Sequence, residues 1–585
     1  MHRNQHINQP PPALNSILFI VLRRMRAPLI MVIAAYTIAI FGLTLIPGLN
    51  AHGQPGGPPM SYFHAFYFIS FTATTTGYGE YPQTFSDAQR MWVIFCIYLT
   101  VISWAYNILT VFTLLQDKAF RNAFARIGFT RRVHHIREPF YLVCGCGETG
   151  ELVSGTLDRR NQRFVIVEQS EERVQELTQM PWQSNPPILN ADARLPDNLL
   201  AAGLAHAHCQ GVLALSRDEE ANLAVAIAVR LLHPDIPILA AVRSAGTAVK
   251  MESFGADHII NPFEIFAARL ALVMRAPKAF LLARWLTGIP GEPLPESYYP
   301  PRGNWIACGF GRFGQAVVHT LEAEGQSITL VEPRTDISVG HRPHIVNQGT
   351  EVEPLLAAGV RDAVGIVAGT DSDVNNLSIA VTARKLNPDI FVVMRQNLAA
   401  NDVLFEAFEG DFALVTSQLI AEECLATLNT PLLVRFLKRL TQENDAWAEP
   451  VLAQLEAVCE ERLPHVWPIR INRTEAPAAL NHLVAGKPLD IAYLLRDPNE
   501  RDKTLNALPL LLVRDGKDWP MPDVSMALQP GDALLFAGRL NARNSQFLSV
   551  QNSNVLDYIL TGYEAPGGWV WHRWARSKLA AEEKR

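Results

Sequence analysis

Two hexapeptides, Gly145-Cys146-Gly147-Glu148-Thr149-Gly150 and Gly309-Phe310-Gly311-Arg312-Phe313-Gly314, have the glycine spacing that lets a main chain cradle phosphate. The first glycine of each permits a tight turn, the second lets the backbone approach a phosphate, and the third permits close helix–strand packing. A helix opening at such a loop adds free N–H groups and a partial positive charge. An acid, Glu168 or Glu332, follows 23 residues after the first glycine. It can accept hydrogen bonds from a ribose diol and repel a 2′-phosphate. Adenine nucleotides of the NAD, ATP or AMP kind are therefore favoured over NADP, and Arg334 weakens that exclusion in the second copy.

A third stretch, Thr75-Thr76-Gly77-Tyr78-Gly79-Glu80, offers glycine-punctuated backbone. Its meaning depends on its setting. Ala27 to Ile46 carries no charged residue, and ~20 positions at ~1.5 Å each reach ~30 Å, the thickness of a hydrocarbon core. A second uncharged run, Met91 to Leu115, is long enough to span with tilt. No Lys or Arg lies between Ala27 and Gln89, whereas Arg23, Arg24 and Arg26 precede the first run and Lys118, Arg121, Arg126, Arg131, Arg132 and Arg137 follow the second. Both chain ends are therefore expected in the cytoplasm, with the first run an anchor. Tyr62 to Thr72 between them is aromatic and too short to span, so it reads as a re-entrant half-helix. Irregular backbone at membrane depth survives only where it is buried in protein or lines a water-filled path. The glycine stretch is then an extracellular turn or the wall of a pore.

With "TAT" ahead of it, the stretch resembles the pore loop and selectivity filter of potassium channels, whose usual core is Thr-Val-Gly-Tyr-Gly-Asp. Glycines at 77 and 79 tolerate the angles that turn successive carbonyls the same way. The resemblance implies that the carbonyls of Thr75, Thr76, Gly77 and Tyr78 and the Thr75 hydroxyl form stacked K⁺ sites ending at Gly79. It also implies a homotetramer, since one chain supplies a quarter of each ring. Glu80 stands where aspartate is usual, and Tyr67-Phe68 where many channels carry a tryptophan pair. The longer carboxylate is expected to find another partner, the Tyr67 hydroxyl being the candidate. Phe71 replaces a frequent acid behind the filter. The second span has no glycine hinge, Ser103 and Ala105 being its nearest small residues.

Behind the basic connector the chain is written twice. "FYLVCGCGETGELVSGTLDRRNQRFVIVEQ" and "NWIACGFGRFGQAVVHTLEAEGQSITLVEP" align at a constant offset of 164, and "NLAVAIAVRLLHPDI" pairs with "NLSIAVTARKLNPDI". Each copy runs strand, glycine loop, helix, strand, acid, which is the Rossmann fingerprint. Both copies resemble RCK domains, the regulators of K⁺ conductance. The resemblance places Asp192 beside the adenosine of the first site and Gly349-Thr350-Glu351 at the corresponding point of the second. Arg243 and Arg395 are weaker candidates for phosphate contacts. Asn261 to Leu286 and Ser417 to Leu440 resemble the crossover helices by which such domains pair. "LQPGDALLFAG", from Leu528, resembles the turn and edge strand of the RCK C-terminal subdomain.

The expected architecture is an all-α transmembrane pore hairpin, with two helices and a re-entrant pore helix, followed by two α/β Rossmann-like RCK domains and a small α+β C-terminal subdomain. Its divisions are a disordered tail (1–15), pore domain (16–117), connector (118–138), first RCK domain (139–287), linker (288–303), second RCK domain (304–445), C-terminal subdomain (446–545) and tail (546–585). That tail bears three tryptophans on a basic helix, suited to lipid headgroups, a partner subunit or, equally, docking on its own protein. A tetramer would carry eight RCK domains beneath one pore, in a bacterial inner membrane.

Up to Arg137 the chain holds 11 Lys/Arg against 3 Asp/Glu, while the remainder holds 40 against 54. That acidic bulk argues against nucleic acid as the main partner. The seven cysteines show neither paired nor metal-ligand spacing and read as reduced. Ca²⁺ is a further candidate ligand of RCK rings. The acidic turns "SRDEEAN" and "GTDSDVN" lack calcium-loop spacing, and helix capping is their preferred reading. Three functions follow. One is a ligand-gated potassium channel. Another is a regulatory subunit of a potassium transporter, disfavoured by the chain's own pore loop. The last is a membrane-tethered NAD-linked enzyme, disfavoured because no His or Lys stands in a catalytic context beside either glycine loop.

Overall fold

A computed structural model describes residues 13–50, 52, 54–80, 84–288, 290–294 and 299–562. By contacts the chain divides into two units. One is Met1–Glu138 together with Pro187–Leu189 and Leu200–His208, and the other holds the remainder.

In the first unit, α1 (Ala13–Leu45), α2 (Tyr62–Ala73), α3 (Asp87–Gln116) and α4 (Lys118–His134) follow in order. Val21–Leu45 and Asp87–Gln116 are long and apolar enough to cross a membrane. Residues 13–15, assigned above to a tail, already belong to α1, and residues 1–12 lie outside the described residues. α1 also runs through Pro28 without ending there. Gly42 makes its packing on α3 close: a Cβ there would sit 2.0 Å from the Trp92 ring. The Trp92 indole N–H donates to the Ala39 carbonyl at 3.2 Å, and Trp104 donates to the Tyr36 hydroxyl at 3.3 Å. α3 starts at a capping box of Ser86 and Gln89, which satisfies two end N–H groups reciprocally. It runs unbroken past Ser103 and Ala105. The chain changes direction instead at Asp117, whose carboxylate meets Arg24 at 2.7 Å and accepts from the Phe120 N–H at 3.3 Å. The connector is thus a helix that follows the second span after one residue.

From Phe140 on, the chain repeats one parallel sheet. β1 (Phe140–Cys144), β2 (Arg163–Glu168), β3 (Ile188–Asn190), β4 (Cys209–Ala214), β5 (Ile238–Ala241) and β6 (His258–Ile260) stand in the order 3-2-1-4-5-6. β7 (Asn304–Cys308), β8 (Ser327–Val331), β9 (His344–Ile345), β10 (Gly365–Ala368), β11 (Phe391–Gln396) and β12 (Phe412–Val415) stand in the order 9-8-7-10-11-12. This is the doubly wound arrangement whose strand order reverses at the first strand, where such folds bind ligands. The same buried asparagine locks both sheets. Asn222 bonds the Ser216 backbone and the Ala241 carbonyl, and Asn376 bonds the Thr370 backbone and the Arg395 carbonyl.

The crossover helices are exchanged between the repeats. Pro262–Arg275 lies on Arg312–Ala323, where Phe263 and Phe266 meet the Phe313 ring at 5.8 and 5.4 Å. Reciprocally, Thr416–Asn429 lies on Glu148–Arg159. Each helix is followed by a proline-led one, Pro277–Thr287 or Pro431–Leu440, because proline at a first turn loses no helical bond.

The C-terminal piece differs from expectation in two ways. Its strands β13 (His465–Arg470), β14 (Ala507–Arg514), β15 (Lys517–Pro520) and β16 (Ala533–Gly538) form an antiparallel sheet in the order 13-16-14-15. The strand of "LQPGDALLFAG" is therefore internal, not an edge, which suits its five buried residues out of six. The subdomain also continues past residue 545 through Leu540–Gln551 and Ser553–Thr561, because Val550 and Leu556 complete its core. The tryptophan-bearing segment from Gly567 lies outside the described residues. The linker is pinned to this piece by bonds of Gly291 and Glu292 to Leu463.

Candidate functional site

The glycine-punctuated stretch sits at the end of α2. Ser61 caps that helix, its hydroxyl accepting from the His64 N–H at 3.4 Å. At the far end the Thr75 N–H donates to the Thr72 carbonyl at 3.0 Å and the Thr76 N–H to the Phe71 carbonyl at 2.9 Å. Beyond them φ alternates in sign: Thr75 is at +62°, Gly77 at +66° and Gly79 at +90°, while Thr76 and Tyr78 keep negative φ. A left-handed threonine is uncommon and costs on the order of 1 kcal/mol, so the surroundings must impose it. Alternation of this kind turns successive carbonyls toward one side. Tyr78 points its ring back at Phe71, 5.4 Å away and near perpendicular, so Phe71 serves as an aromatic wall where an acid is frequent. Thr75, Thr76, Gly77, Tyr78 and Gly79 are all exposed in the single chain.

Glu80 has a different partner from the one expected. Its carboxylate accepts from Arg90 Nε at 2.8 Å and Nη2 at 3.3 Å, and from the Phe85 N–H at 3.0 Å. The Tyr67 ring instead stacks on Phe63 and meets Phe71 edge-on. The cap at Ser86 decides this, because it starts α3 early enough for Arg90 to reach back.

In the second unit each glycine loop leads from its first strand, β1 or β7, into a helix whose cap residue, Gly147 or Gly311, supplies no side-chain bond. Those N-termini keep free N–H groups. The outer glycines are required by the protein itself. Gly145 and Gly309 have φ of +84° and +93°, and Cβ atoms at Gly150 and Gly314 would lie 2.4 and 2.0 Å from the Gly145 and Gly309 carbonyls. The middle glycines differ: a Cβ at Gly147 or Gly311 would meet no atom within 4 Å. That open space lies in front of the helix N-terminus, where an anion is favoured.

Both acids first brace their loop. Glu168 accepts from the Cys146 N–H at 2.7 Å and the Ser170 N–H at 2.9 Å, and is half-buried. Glu332 accepts from the Phe310 N–H at 2.5 Å, is buried, and pairs with Arg334 Nε at 2.8 Å. Burial pushes the Glu332 carboxyl up, but the bonds from Arg334 and Phe310 outweigh it and hold it below the usual carboxylate range. Asp192 stands two residues past β3 with Arg194 at 2.8 Å, and that guanidinium likewise holds its carboxyl down.

The remaining loop residues divide. Glu148 pairs with Arg217 at 3.2 Å, and Arg312 pairs with Glu219 at 3.2 Å. Thr149 is half-buried in the first turn. Phe313 belongs to the second glycine loop, but its ring is fully buried against the crossover helix, leaving only its backbone for a ligand. Arg243 and Arg395 are not equivalent. Arg395 lies within β11, bonded to Asp371 at 2.6 Å with its guanidinium over the Phe263 ring, whereas Arg243 lies past β5. Burial, together with the guanidiniums of Arg395, Arg217 and Arg312, pushes Arg243 down from the ordinary arginine range.

The acidic turns serve as caps. Asp218 accepts from the Glu220 N–H and Ser372 from the Asn375 N–H, while Glu219 and Asp373 each accept two backbone N–H groups beyond the next strand. Among the described residues no group of three His, Cys, Asp or Glu is arranged to hold a metal. All seven cysteines are free, and burial pushes the Cys146 and Cys308 thiols up to about 12. Arg173 was missed. From the helix after β2 it donates to the Cys146 carbonyl at 2.9 Å and pairs with Glu151, tying the first loop to the second strand's end.

Residues 29–117 match the ion channel domain, and residues 141–262 and 305–415 each match the TrkA-N domain. Potassium channel protein 1 of Methanocaldococcus jannaschii is 26% identical over 217 residues, which are 37% of this chain and 63% of that protein. The voltage-gated potassium channel Kch of Escherichia coli is 24% identical over 211 residues, 36% of this chain and 48% of the other. The chain thus spans less than two thirds of the length of each of these two relatives. Among solved structures, the GsuK channel bound to NAD is similar over 92% of this chain and 100% of its own, at 15% identity and a TM-score of 0.43. The human SLO3 gating ring is similar over 68% and 99%, at 12% identity and a TM-score of 0.38.

Proposed function

We propose that this chain, an ion-channel domain joined to two TrkA-N domains, is the pore-forming subunit of a potassium-selective channel gated by an adenine nucleotide. The observation that carries the proposal is the left-handed backbone at Thr75, Gly77 and Gly79, alternating along an exposed segment that ends a half-helix between two spans. Four such segments around an axis would face the carbonyls of Thr75, Thr76, Gly77 and Tyr78 inward. Main-chain oxygens then replace the hydration shell of K⁺. The arginine-flanked spans support an inner-membrane hairpin with both ends cytoplasmic.

The open space at Gly147 and Gly311 and the uncapped helix ends favour phosphates, and Glu168 would take the ribose. The arginines around Arg243 add positive charge beside these clefts. A nucleotide that binds one shape of an eight-domain ring more tightly than another shifts the population of that shape. The helical connector α4, one residue from the second span, is suited to transmit the shift to the pore. Ca²⁺ is the second candidate effector.

The test is potassium flux through the full chain in liposomes, with NAD⁺, NADH, ATP, ADP and Ca²⁺ applied in turn to the inner face. The expected result is a K⁺-over-Na⁺ current whose open fraction changes with a nucleotide. Absence of selective monovalent current under every ligand would overturn the reading, and NADH turnover by the pure protein would favour an enzyme.

A further inference from the structure

We infer that Arg90 is the positioning residue that holds the outer end of the filter in its conducting shape, through a two-pronged ion pair with Glu80; this rests on the channel reading above. The filter has almost nothing of its own to keep it in place. Its glycines would let a Cβ stand clear of every atom within 4 Å, and Thr75 occupies backbone space that threonine avoids. Conformations of that kind persist only where their surroundings over-determine them. The inner end is well determined, by the carbonyls of Phe71 and Thr72 and by the Tyr78 ring on Phe71.

At the outer end the first side chain past Gly79 is Glu80. Both its oxygens are used: Oε1 by Arg90 Nε, and Oε2 by Arg90 Nη2 and the Phe85 N–H. Parallel bonds from one guanidinium fix direction as well as distance, which a lysine ammonium cannot do. Arg90 is in turn fixed. It stands one turn into a helix started by the Ser86–Gln89 capping box, Gln89 reaches the Ile46 carbonyl and Ser86 the Pro47 carbonyl. Its third nitrogen touches Asp87 at 3.4 Å. The chain of contacts therefore runs from the rigid ends of α1 and α3 through Arg90 and Glu80 to Gly79. Four copies in an assembled pore would act on one ring of carbonyls, so a modest pair would have a multiplied effect.

The experiment compares full-length wild type, Arg90→Gln, Arg90→Lys and the swap Glu80→Arg/Arg90→Glu in planar bilayers. It reads the K⁺/Na⁺ reversal potential and the decay of current after external K⁺ is lowered, with tetramer retention checked by light scattering. Arg90→Gln is expected to start K⁺-selective and then decay about fivefold faster, the upper end of what one partly exposed ion pair carries. Arg90→Lys should fall between, and the swap should recover most of the loss. Wild-type decay in both Arg90→Gln and Arg90→Lys would overturn the inference while leaving the pore reading intact. Should Arg90→Gln not assemble, Arg90→Lys decides, since it keeps the charge and lacks the fork. A wild type with no K⁺-selective current would overturn the pore reading and this inference together.

Discussion

The two Rossmann-like folds hold their glycine loops alike and their acids differently. In both, the first and third glycines are forced by the protein's own atoms, and the middle one faces open space. In the first fold Glu168 is half-buried and bonded only to backbone N–H groups of its own loops. In the second, Glu332 is buried and already carries the guanidinium of Arg334. Where the first fold has Asp192 after its third strand, the second has Gly349-Thr350-Glu351. On the proposed reading, the repeat keeps the phosphate cradle in both copies and the ribose acceptor in its open form in one. The cradle survives because backbone packing demands two of its three glycines whether or not a ligand binds. The acceptor depends on one side chain two residues away.

The largest effect should come where the copies agree. Alanine at Gly314 would drive a Cβ to 2.0 Å from the Gly309 carbonyl, and at Gly150 to 2.4 Å from that of Gly145. Neither backbone oxygen can move aside, so each change should cost about 2–3 kcal/mol, with Gly314 the worse. Thermal unfolding of the purified chain measures it, and unshifted midpoints would contradict the packing argument.

A smaller effect separates ligand from fold. Gly147 and Gly311 have ordinary negative φ of −71° and −75°, and a methyl group there meets no protein atom within 4 Å. Alanine at either should leave stability within about 0.5 kcal/mol. It would still stand where a phosphate has to approach, and overpacking of that order weakens nucleotide binding roughly tenfold or more. Calorimetric titration with NAD⁺ and ADP reads the two sites. Unchanged affinity in both variants would mean that the open space is not the ligand's.

Much of this was legible in the residues. The constant offset between the glycine loops, the uncharged runs and the filter motif are local patterns, set by periodicity and spacing. What escaped was decided by where elements end in three dimensions. Arg90 reaches Glu80 because Ser86 starts α3 where it does, and Arg173 reaches the Cys146 carbonyl across two connections. The Phe313 ring looked like part of a binding loop, but the exchanged crossover helix buries it. The strand at Ala533 looked like an edge, since nothing in its own sequence tells which strands lie on both sides.

The smallest expected effect bears most directly on the difference between the copies. In a Gly147→Ala background, where only the second loop is read, Arg334→Ala should free Glu332 and raise NAD⁺ affinity by about two- to fivefold, the range of an ion pair whose arginine is half exposed. Arg334 also supplies a positive group beside the acid, so the same change should lower the NADP⁺/NAD⁺ affinity ratio. Acid sharpens the test. The folded Glu332 carboxyl lies below its ordinary value, so its pair with Arg334 is intact at neutral pH and is lost as pH falls through that depressed value. The gain from Arg334→Ala should therefore be the same at pH 7 and pH 8 and shrink as acid protonates Glu332, first in the variant, whose carboxyl has lost the Arg334 bond that lowers it. A gain that grew in acid would show that Arg334 acts on the ligand through some group other than this carboxylate. The second fold would then differ from the first in its phosphate cradle after all.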